Sequence, residues 1–420
     1  MTDMKKKLQS DAKEIYTGAV KASLPDAAVR DALVNLSLPS GRLILVAAGK
    51  AAWKMAKCAA DIIEGEFGRK IDRGIVITKY GHSEGAIGSL EIYEAGHPVP
   101  DASGAFATER ALLLTEGLTS DDLVLFLISG GGSALFESPA CELSELASLT
   151  KALLASGADI GEINTVRKHL SKVKGGRFAE HIYPASVYTV ALSDVLGNRI
   201  DTIASGPTSP DPSTSDEALR VIEKYSIEVS EEILRYMKLE TPKVIKNGNY
   251  FVGGSVSQLC LSAKEICKSL GYRAEIISDS ECGEARELGK RLATLAIENK
   301  STKQPLAFIV GGETVVKLRG TGLGGRNQET ALSAATFISG YGNIAVFSVG
   351  SDGTDGPTDA AGGCVFGDSV SEMKEAGVDP DMYLENNDSY NALAAIDSLI
   401  ITGPTGTNVN DIAVALVLPK

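Results

Sequence analysis

Three consecutive glycines stand between two serines at residues 129–133, directly after an apolar run. Successive glycines let several backbone N–H groups converge on one point, and such a concave nest binds phosphate or carboxylate oxygens. The flanking serine hydroxyls add two hydrogen-bond donors. The alternative to anion binding is a tight turn in which the glycines serve packing alone. The segment predicts an anion site made of Ser129, Gly130, Gly131, Gly132 and Ser133.

Two basic residues follow other glycines and could face an anion. Lys50 comes after Gly49 where an apolar run changes to a helical pattern, but Ala51 follows it, so the segment is not a Walker loop. Arg326 follows the loop 319–325, and its planar fork can grip a carboxylate or phosphate with two N–H groups. A solvated first-turn lysine is the alternative for Lys50.

The loop 319–325 also matches the GxGxxG dinucleotide pattern formally. In a dinucleotide site the glycines are followed by an apolar helix face, whereas here Arg326, Asn327, Gln328 and Glu329 come next. Four polar residues in the first helical turn indicate ligand contact instead.

Carboxylates are concentrated in the loop 349–363, which holds Asp352, Asp355 and Asp359 among glycines. Mg²⁺ usually takes one or two protein carboxylates and completes its shell with water and substrate phosphate. Asp352 and Asp355 are therefore expected to bind a metal, or one of them to act as a general base. Asp194, just beyond another apolar run, is a further candidate, although aspartate and glycine also dominate ordinary turns.

Composition excludes several other classes of protein. A formal net charge of -13 opposes binding to nucleic acid or anionic lipid. The six cysteines lack paired spacing, the four histidines are dispersed, and no HExxH, CxxC or GxSxG motif occurs. Without a signal peptide or an 18-residue apolar segment, a soluble cytoplasmic protein is expected.

The elements that must position these residues alternate between strand-length apolar runs and helical patterns. Strands are predicted at 42–48, 74–78, 122–128, 186–192, 250–252, 272–277, 305–310, 314–318, 343–349 and 412–418. The polar stretch 238–249 predicts a boundary, with domains at 1–240 and 241–420. Both domains are expected to be α/β, the first with a mainly parallel sheet, and a ligand would lie beyond the carboxyl ends of its strands.

The glycine loops occur together in an order that resembles the class II glycerate kinases, whose C-terminal domain is called MOFRL. The resemblance is carried by AAGKAA (47–52), ISGGGSAL (128–135), INTVRKHLSKVKGGR (163–177), LSDVLGN (192–198), ASGPT (204–208), GGETVVKLRGTGLGGRNQE (311–329) and GSDGTDGPTDAAG (350–362). It spans most of the chain.

The resemblance implies two three-layer α/β domains, a Rossmann-like one and a smaller one with a mixed sheet, enclosing an active site in a cleft. It implies an ATP- and Mg²⁺-dependent kinase of D-glycerate, and similarity to the archaeal members favours 2-phosphoglycerate as product. A homodimer is left open. The implied catalytic residues are Lys50, Arg326, Asp194 and Asp352, and the implied nucleotide-binding residues beyond 129–133 are Gly206, Glu313, Gly322, Gly324, Gly325 and Asn327.

Two rival functions are kept. The family is also labelled hydroxypyruvate reductase, and an NAD(P)-dependent reductase would use the GxGxxG match with Asp352 on the ribose. The other rival is a non-catalytic sugar-acid-binding protein that closes on its ligand.

Overall fold

The computed structural model describes residues 3–34, 36–192 and 200–420. The chain forms two compact units, Ala28–Gly253 and Met1–Ala27 with Gly254–Lys420. We call the first the parallel-sheet unit and the second the mixed-sheet unit. Among the described residues, no helix combines the length and the apolar character that a membrane crossing requires.

The strands of the two units are β1 (Leu43–Ala48), β2 (Arg73–Lys79), β3 (Glu91–Ala95), β4 (Leu123–Ile128), β5 (Ser186–Leu192), β6 (Gly248–Gly253), β7 (Arg273–Glu281), β8 (Leu306–Gly312), β9 (Ile344–Gly350), β10 (Gly362–Phe366), β11 (Leu399–Ile400) and β12 (Asp411–Val417).

The α-helices are α1 (Asp3–Ala22), α2 (Pro25–Leu33), α3 (Ala52–Ala60), α4 (Ala102–Leu114), α5 (Gly132–Leu135), α6 (Leu143–Ala155), α7 (Ile160–His169), α8 (Arg177–Ile182), α9 (Ser215–Lys224), α10 (Glu231–Met237), α11 (Val256–Ser269), α12 (Ala285–Glu298), α13 (Arg326–Ile338), α14 (Ser369–Glu375), α15 (Pro380–Glu385) and α16 (Ser389–Ala394). A π-helical turn over Asp61–Glu66 continues α3, and a 3₁₀ turn covers Ile203–Ser205.

The parallel-sheet unit contains a six-stranded sheet in the order β3-β2-β1-β4-β5-β6, with every pair parallel. Alternate residues of β1 enter two different cores, Leu43 and Leu45 on one face and Ile44 and Val46 on the other. Helices therefore cover both faces, which explains why the strands read as continuous apolar runs. The chain leaves β1 towards β2 and later returns to place β4 on its other side, so the strand order reverses between β1 and β4.

The mixed-sheet unit has a six-stranded sheet in the order β11-β10-β9-β12-β8-β7, in which only β7 and β8 pair in parallel. Separate apolar cores cover its two faces. The two sheets confirm the predicted α/β class, one mainly parallel and one mixed.

The predicted boundary at 240/241 differs from the division in the structure in two ways. Strand β6 pairs in parallel with β5 and belongs to the first sheet, because the polar stretch 238–249 is a connection inside the parallel-sheet unit. Helix α1 belongs to the mixed-sheet unit, where Leu8 and Ile15 join the core that contains Phe347. An amphipathic helix needs an apolar partner, and its sequence alone does not say which sheet supplies it.

The predicted strand at 314–318 is wrong. Val315 forms only an isolated bridge with Glu284, and Leu318 is 80% exposed, so this β-branched run has no sheet neighbour. Strand β10 begins inside the predicted loop 349–363, at Gly362, where the absence of a side chain lets the strand fit closely against the backbone of β9 at Ser348.

Candidate active site

The glycine-rich segment 129–133, which we call the glycine nest, begins where β4 ends, beside the carboxyl end of β1. In open α/β sheets this point, where the strand order reverses, is where ligands bind. The two strand ends are joined by hydrogen bonds from the Lys50 N–H to the Gly130 carbonyl, 2.9 Å, and from the Ala51 N–H to Ser129 Oγ, 3.0 Å. The sheet therefore brings the predicted lysine and the predicted anion loop together.

Several N–H groups of the glycine nest are free to bind an anion. The Gly132 N–H donates to the Ser129 carbonyl, but those of Gly130, Gly131 and Ser133 have no partner in the described part of the chain. Gly131 has a positive φ of 86°, a conformation that glycine adopts without strain. Free N–H donors at a left-handed turn are what an anion nest requires.

The two serines of the glycine nest play different parts. Ser129 is 3% exposed, and its hydroxyl accepts the Ala51 N–H, so it holds the two strand ends together. Ser133 is partly exposed, and its Oγ lies 3.1 Å from Ser205 Oγ. Ser133 is therefore the hydroxyl better placed to reach a ligand.

The side chain of Lys50 is exposed and has no ion-pair partner within the described residues. A Cβ at Gly131 would lie 3.2 Å from Lys50 Cγ and 3.0 Å from Cδ2 of His97, so the glycine makes room for both side chains. Partial burial, and then the Lys50 ammonium, lower the pKa of His97 below its ordinary value. At neutral pH, Lys50 is thus an exposed cation beside the glycine nest, with a neutral imidazole next to it.

A buried ionic network supports the glycine nest from its C-terminal side. The Arg167 guanidinium donates to the Ser133 carbonyl at 2.9 Å and lies 3.4 Å from Glu137 Oε2. The Lys174 ammonium lies 2.9 Å from the same carboxylate and donates to the Phe136 carbonyl at 2.9 Å. Lys174 lies beyond the end of α7 and is fully buried. Burial lowers its pKa to about 8.

The segment 204–206 supplies the wall opposite Ser133. Ala204, Ser205 and Gly206 all have positive φ, at 50°, 62° and 64°. Such backbone is strained for residues other than glycine and persists only where the surroundings fix it. Here the carbonyls of Ser205 and Gly206 accept the N–H groups of Gly175 and Gly176. Gly206, a predicted ligand residue, is thus committed through its backbone to shaping this wall.

The predicted catalytic residue Asp194 lies in 193–199, outside the described residues. It follows β5, the sheet neighbour of β4.

In the mixed-sheet unit, Arg326 opens α13 with carboxylates on two sides. Its Nε and Nη2 donate to Asp411 at 2.5 and 3.1 Å, and its Nη1 lies 3.3 Å from Glu313 Oε1. Sequence reasoning missed Asp411, the first residue of β12. It is 7% exposed, and burial raises its pKa while Arg326 opposes the rise. The Arg326 guanidinium, which was predicted to bind a ligand, therefore already binds Asp411 through Nε and Nη2.

Asp355 caps the first turn of α13. Its two carboxylate oxygens accept the N–H groups of Asn327 at 3.2 Å and Gln328 at 2.8 Å. Burial nevertheless raises its pKa to about 7, because it is 4% exposed and lies near Asp411. The structure thus gives Asp355 a role in holding the helix, which differs from the predicted role as a metal ligand.

Asn327 is also an internal link. Its side-chain amide accepts from the Ser348 hydroxyl at 2.5 Å and lies 3.4 Å from Asp355 Oδ1, and the residue is 2% exposed. Both the oxygen and the nitrogen of the Asn327 side-chain amide are thus bonded within the protein, whereas the sequence predicted that this side chain contacts the nucleotide.

The GxGxxG loop is not an open nest. The N–H groups of Arg319 and Gly320 donate to Asn387 Oδ1 at 2.6 and 3.0 Å, and that of Gly322 donates to the Asn386 carbonyl at 2.8 Å. A Cβ at Gly322 or Gly324 would lie within 2.4 Å of the segment 386–389. The glycines at 320, 322 and 324 therefore let the segment 386–389 pack directly against the backbone of the loop. Gly325 makes similar room for the Asp355 carboxylate.

Asp352 keeps a free carboxylate oxygen. It is partly exposed, and its Oδ1 accepts the Thr354 N–H at 2.9 Å, whereas Oδ2 has no partner in the described ranges. Asp359 instead accepts the Tyr390 hydroxyl at 2.8 Å. Within the described residues, no three His, Cys, Asp or Glu side chains are grouped as a metal site. Because Mg²⁺ often takes only one or two protein carboxylates, Asp352 still fits as a ligand.

Comparison with known proteins places both units in one family. Residues 11–238 match DUF4147, described as a domain of unknown function, and residues 306–411 match the MOFRL family. A D-glycerate 2-kinase of Thermotoga maritima is 53% identical over 98% of this chain and 99% of its own. A putative hydroxypyruvate reductase of Agrobacterium vitis is 41% identical over 96% and 93%.

A crystal structure of glycerate kinase from Thermotoga maritima superimposes with a TM-score of 0.91 at 53% identity, covering 98% of this chain and 99% of that one. The matches extend over both sheets and the loops that follow their strands. The chain belongs to the class II glycerate kinase family, in which a DUF4147 domain is combined with a MOFRL domain.

Proposed function

We propose that this protein is an ATP-dependent kinase that phosphorylates D-glycerate and that the product is 2-phosphoglycerate. The observation that carries the proposal is the glycine nest beside Lys50, at the point where the strand order of the parallel sheet reverses. Phosphoryl transfer needs backbone N–H donors and a cation around the phosphates, and both are present there. Family membership agrees with this chemistry, since a relative 53% identical is a D-glycerate 2-kinase.

The phosphates of ATP are assigned to the glycine nest. The free N–H groups of Gly130, Gly131 and Ser133 donate to phosphate oxygens, and the Lys50 ammonium offsets the charge that develops as the phosphoryl group leaves. Arg167 holds the Ser133 carbonyl on the other side of the peptide, so the loop is fixed before the ligand arrives. These donors need no rearrangement during the reaction.

The carboxylate of D-glycerate is assigned to Arg326. Asp411 occupies its Nε and Nη2, whereas Glu313 is 49% exposed and 3.3 Å from Nη1, so it is the weaker partner. We assign the substrate carboxylate to the Nη1 edge, where it replaces Glu313 while Asp411 keeps the guanidinium plane in place. A bound anion exchanging with an exposed carboxylate costs little, because exposed ion pairs are weak.

Asp352 is assigned to the metal or to the substrate hydroxyl. Its free Oδ2 can bind Mg²⁺ or accept the proton of the attacking hydroxyl. Mg²⁺ held there would offset the negative charge of the phosphate oxygens. Asp194 keeps its place in the proposal as a second carboxylate.

The reductase alternative loses its main structural support. A dinucleotide fingerprint presents its glycine N–H groups to the pyrophosphate, whereas those of Gly320 and Gly322 are bonded to the segment 386–389. The GxGxxG loop therefore offers no pyrophosphate site that would make Asp352 a ribose ligand.

A coupled assay of ADP release tests the proposal. Purified protein is incubated with ATP, Mg²⁺ and D-glycerate, and each component is omitted in turn. The expected result is ADP release that requires all three. Parallel reactions contain hydroxypyruvate with NADH or NADPH, and nicotinamide oxidation without ADP release would favour the reductase. Glycerate binding without either reaction would favour the non-catalytic binder.

A further inference from the structure

An apolar pocket lies next to the glycine nest in the parallel-sheet unit. Its volume is about 420 Å³, and one wall is formed by Pro98 and Val99. Helix α6 supplies most of the remaining lining, including Leu143, Leu146 and Ala147. Pockets for small organic ligands have volumes of about 300–1,000 Å³ and mostly apolar walls. This pocket has the size and the lining for a planar ring system.

Two residues connect the pocket to the glycine nest. Arg167 lines the pocket and also donates to the Ser133 carbonyl at 2.9 Å. Pro98, also a lining residue, directly follows His97, whose ring would lie 3.0 Å from a Cβ at Gly131. A ligand with phosphates on the nest can therefore extend into the pocket without leaving the parallel-sheet unit.

We propose that this pocket holds the purine base of the phosphate donor while the phosphates lie on the glycine nest. The inference rests on the proposed kinase function, which places a nucleoside triphosphate at residues 129–133. The apolar side chains of Pro98, Val99 and α6 suit contact with the faces of a purine. The Arg167 guanidinium at the inner end can lie against the ring or meet the α-phosphate.

The pocket has few groups that read the edge of a base. The Thr150 hydroxyl, which lines it, is already bonded to the Leu146 carbonyl at 2.8 Å, and Lys151, also in the lining, has a freely rotating ammonium on a flexible stem. A site without hydrogen bonds of fixed direction to the base cannot reject an analogue strongly. GTP should therefore replace ATP with a KM within about tenfold of that for ATP.

Direct ligand binding tests the base pocket. The variant Ala147→Phe fills the pocket, and the matched control Ser148→Phe places the same ring on the exposed side of α6. Isothermal titration with ADP and with inorganic tripolyphosphate separates the base from the phosphates. Ala147→Phe should weaken ADP binding about tenfold or more, because contact with the base is lost, and should leave tripolyphosphate binding unchanged. Ser148→Phe should alter neither.

A second variant guards against misfolding of the first. Leu154 lines the pocket but is 61% exposed, so Leu154→Glu should fold normally and still weaken ADP binding by placing a carboxylate at the pocket. Circular dichroism confirms the fold of each variant.

Three outcomes would overturn the base pocket: wild-type protein that binds no ADP, folded pocket variants that bind ADP as wild type does, or equal weakening of ADP and tripolyphosphate. The ADP-release assay judges the proposed function separately. Glycerate phosphorylation by a wild type whose pocket variants keep normal ADP affinity would retain the kinase and remove the base pocket.

Discussion

The guanidinium of Arg326 and the carboxylate of Asp411 form a two-point contact, with Nη2 3.1 Å from Oδ1 and Nε bonded to Oδ2. The pair joins the start of α13 to the start of β12. It fixes the direction of the arginine and leaves Nη1 as the edge that a substrate can reach. The Arg326 guanidinium is therefore fixed in orientation by Asp411. A lysine at this position would lose both the planar array of N–H donors and the two-point contact with Asp411.

Arg326→Lys should raise KM for glycerate by about tenfold or more, since a lysine cannot hold Asp411 and a substrate carboxylate together. Steady-state kinetics at saturating ATP measure the change. Glu313→Gln is the matched control, and it should leave KM for glycerate unchanged or lower it, because it removes the competitor at Nη1. A large rise in KM from Glu313→Gln would contradict the assignment of the substrate to this edge.

Lys50→Ala should lower kcat by about 100-fold or more while KM for either substrate changes much less. The reason is that the ammonium meets charge that develops during transfer. Lys54→Ala is the control, because Lys54 is exposed on α3 and its ammonium lies 3.9 Å from the Glu84 carboxylate. A Lys50→Ala enzyme with nearly normal kcat would return this residue to a solvated first-turn lysine.

Lys174→Met should destabilise the parallel-sheet unit by about 3–5 kcal/mol, because it removes the nearer of the two cations that contact the buried Glu137 carboxylate and leaves Arg167 at 3.4 Å. Urea unfolding followed by tryptophan fluorescence reports on this unit, since the single tryptophan, Trp53, lies in α3. Lys172→Met removes a cation that is 48% exposed and paired with Glu109, and it should change stability by less than about 0.5 kcal/mol. Equal effects from both variants would contradict the supporting role of the buried network.

Asp355 should make the stability of the mixed-sheet unit depend on pH. Its pKa rises from 3.8 in the unfolded chain to about 7 in the folded protein, so between these values only the folded state holds the proton. Wild-type stability should then fall, relative to Asp355→Asn, by about 1.4 kcal/mol per unit as the pH rises from about 4 to 7. Calorimetric Tm values of both proteins across this range measure the difference. A difference that stays constant with pH would mean that the two hydrogen-bonded N–H groups keep this carboxylate ionised.

The sequence predicted the structure best where a residue pattern was compatible with one kind of element. Long apolar runs such as 122–128 could only be buried strands, and β4 occupies Leu123–Ile128. The carboxyl ends of neighbouring parallel strands meet at one edge of a sheet, but that β1 and β4 are neighbours, and that Lys50 therefore lies beside the glycine nest, is known only from the structure.

Other features were ambiguous because the same residues satisfy two physical needs. Glycine serves anion nests and close backbone packing alike, and only the contacts of Gly322 with the segment 386–389 separate the two. Likewise, an aspartate in a loop can bind a metal or cap a helix, and Asp355 caps a helix that begins 29 residues earlier in the chain, at Arg326. The pairs Arg326–Asp411 and Lys174–Glu137 join positions distant in sequence, and one sequence gives no signal for such pairs.

The central claim is that ATP phosphorylates the 2-hydroxyl of D-glycerate, and phosphorus NMR of the reaction mixture tests it most directly. The phosphorus of 2-phosphoglycerate couples to the single proton on C2 and gives a doublet, whereas that of 3-phosphoglycerate couples to two protons on C3 and gives a triplet. The account predicts a new phosphomonoester doublet that grows as the γ-phosphate signal of ATP declines, and only when D-glycerate is present. A triplet would contradict the assigned hydroxyl, and inorganic phosphate without any new ester would contradict the kinase itself.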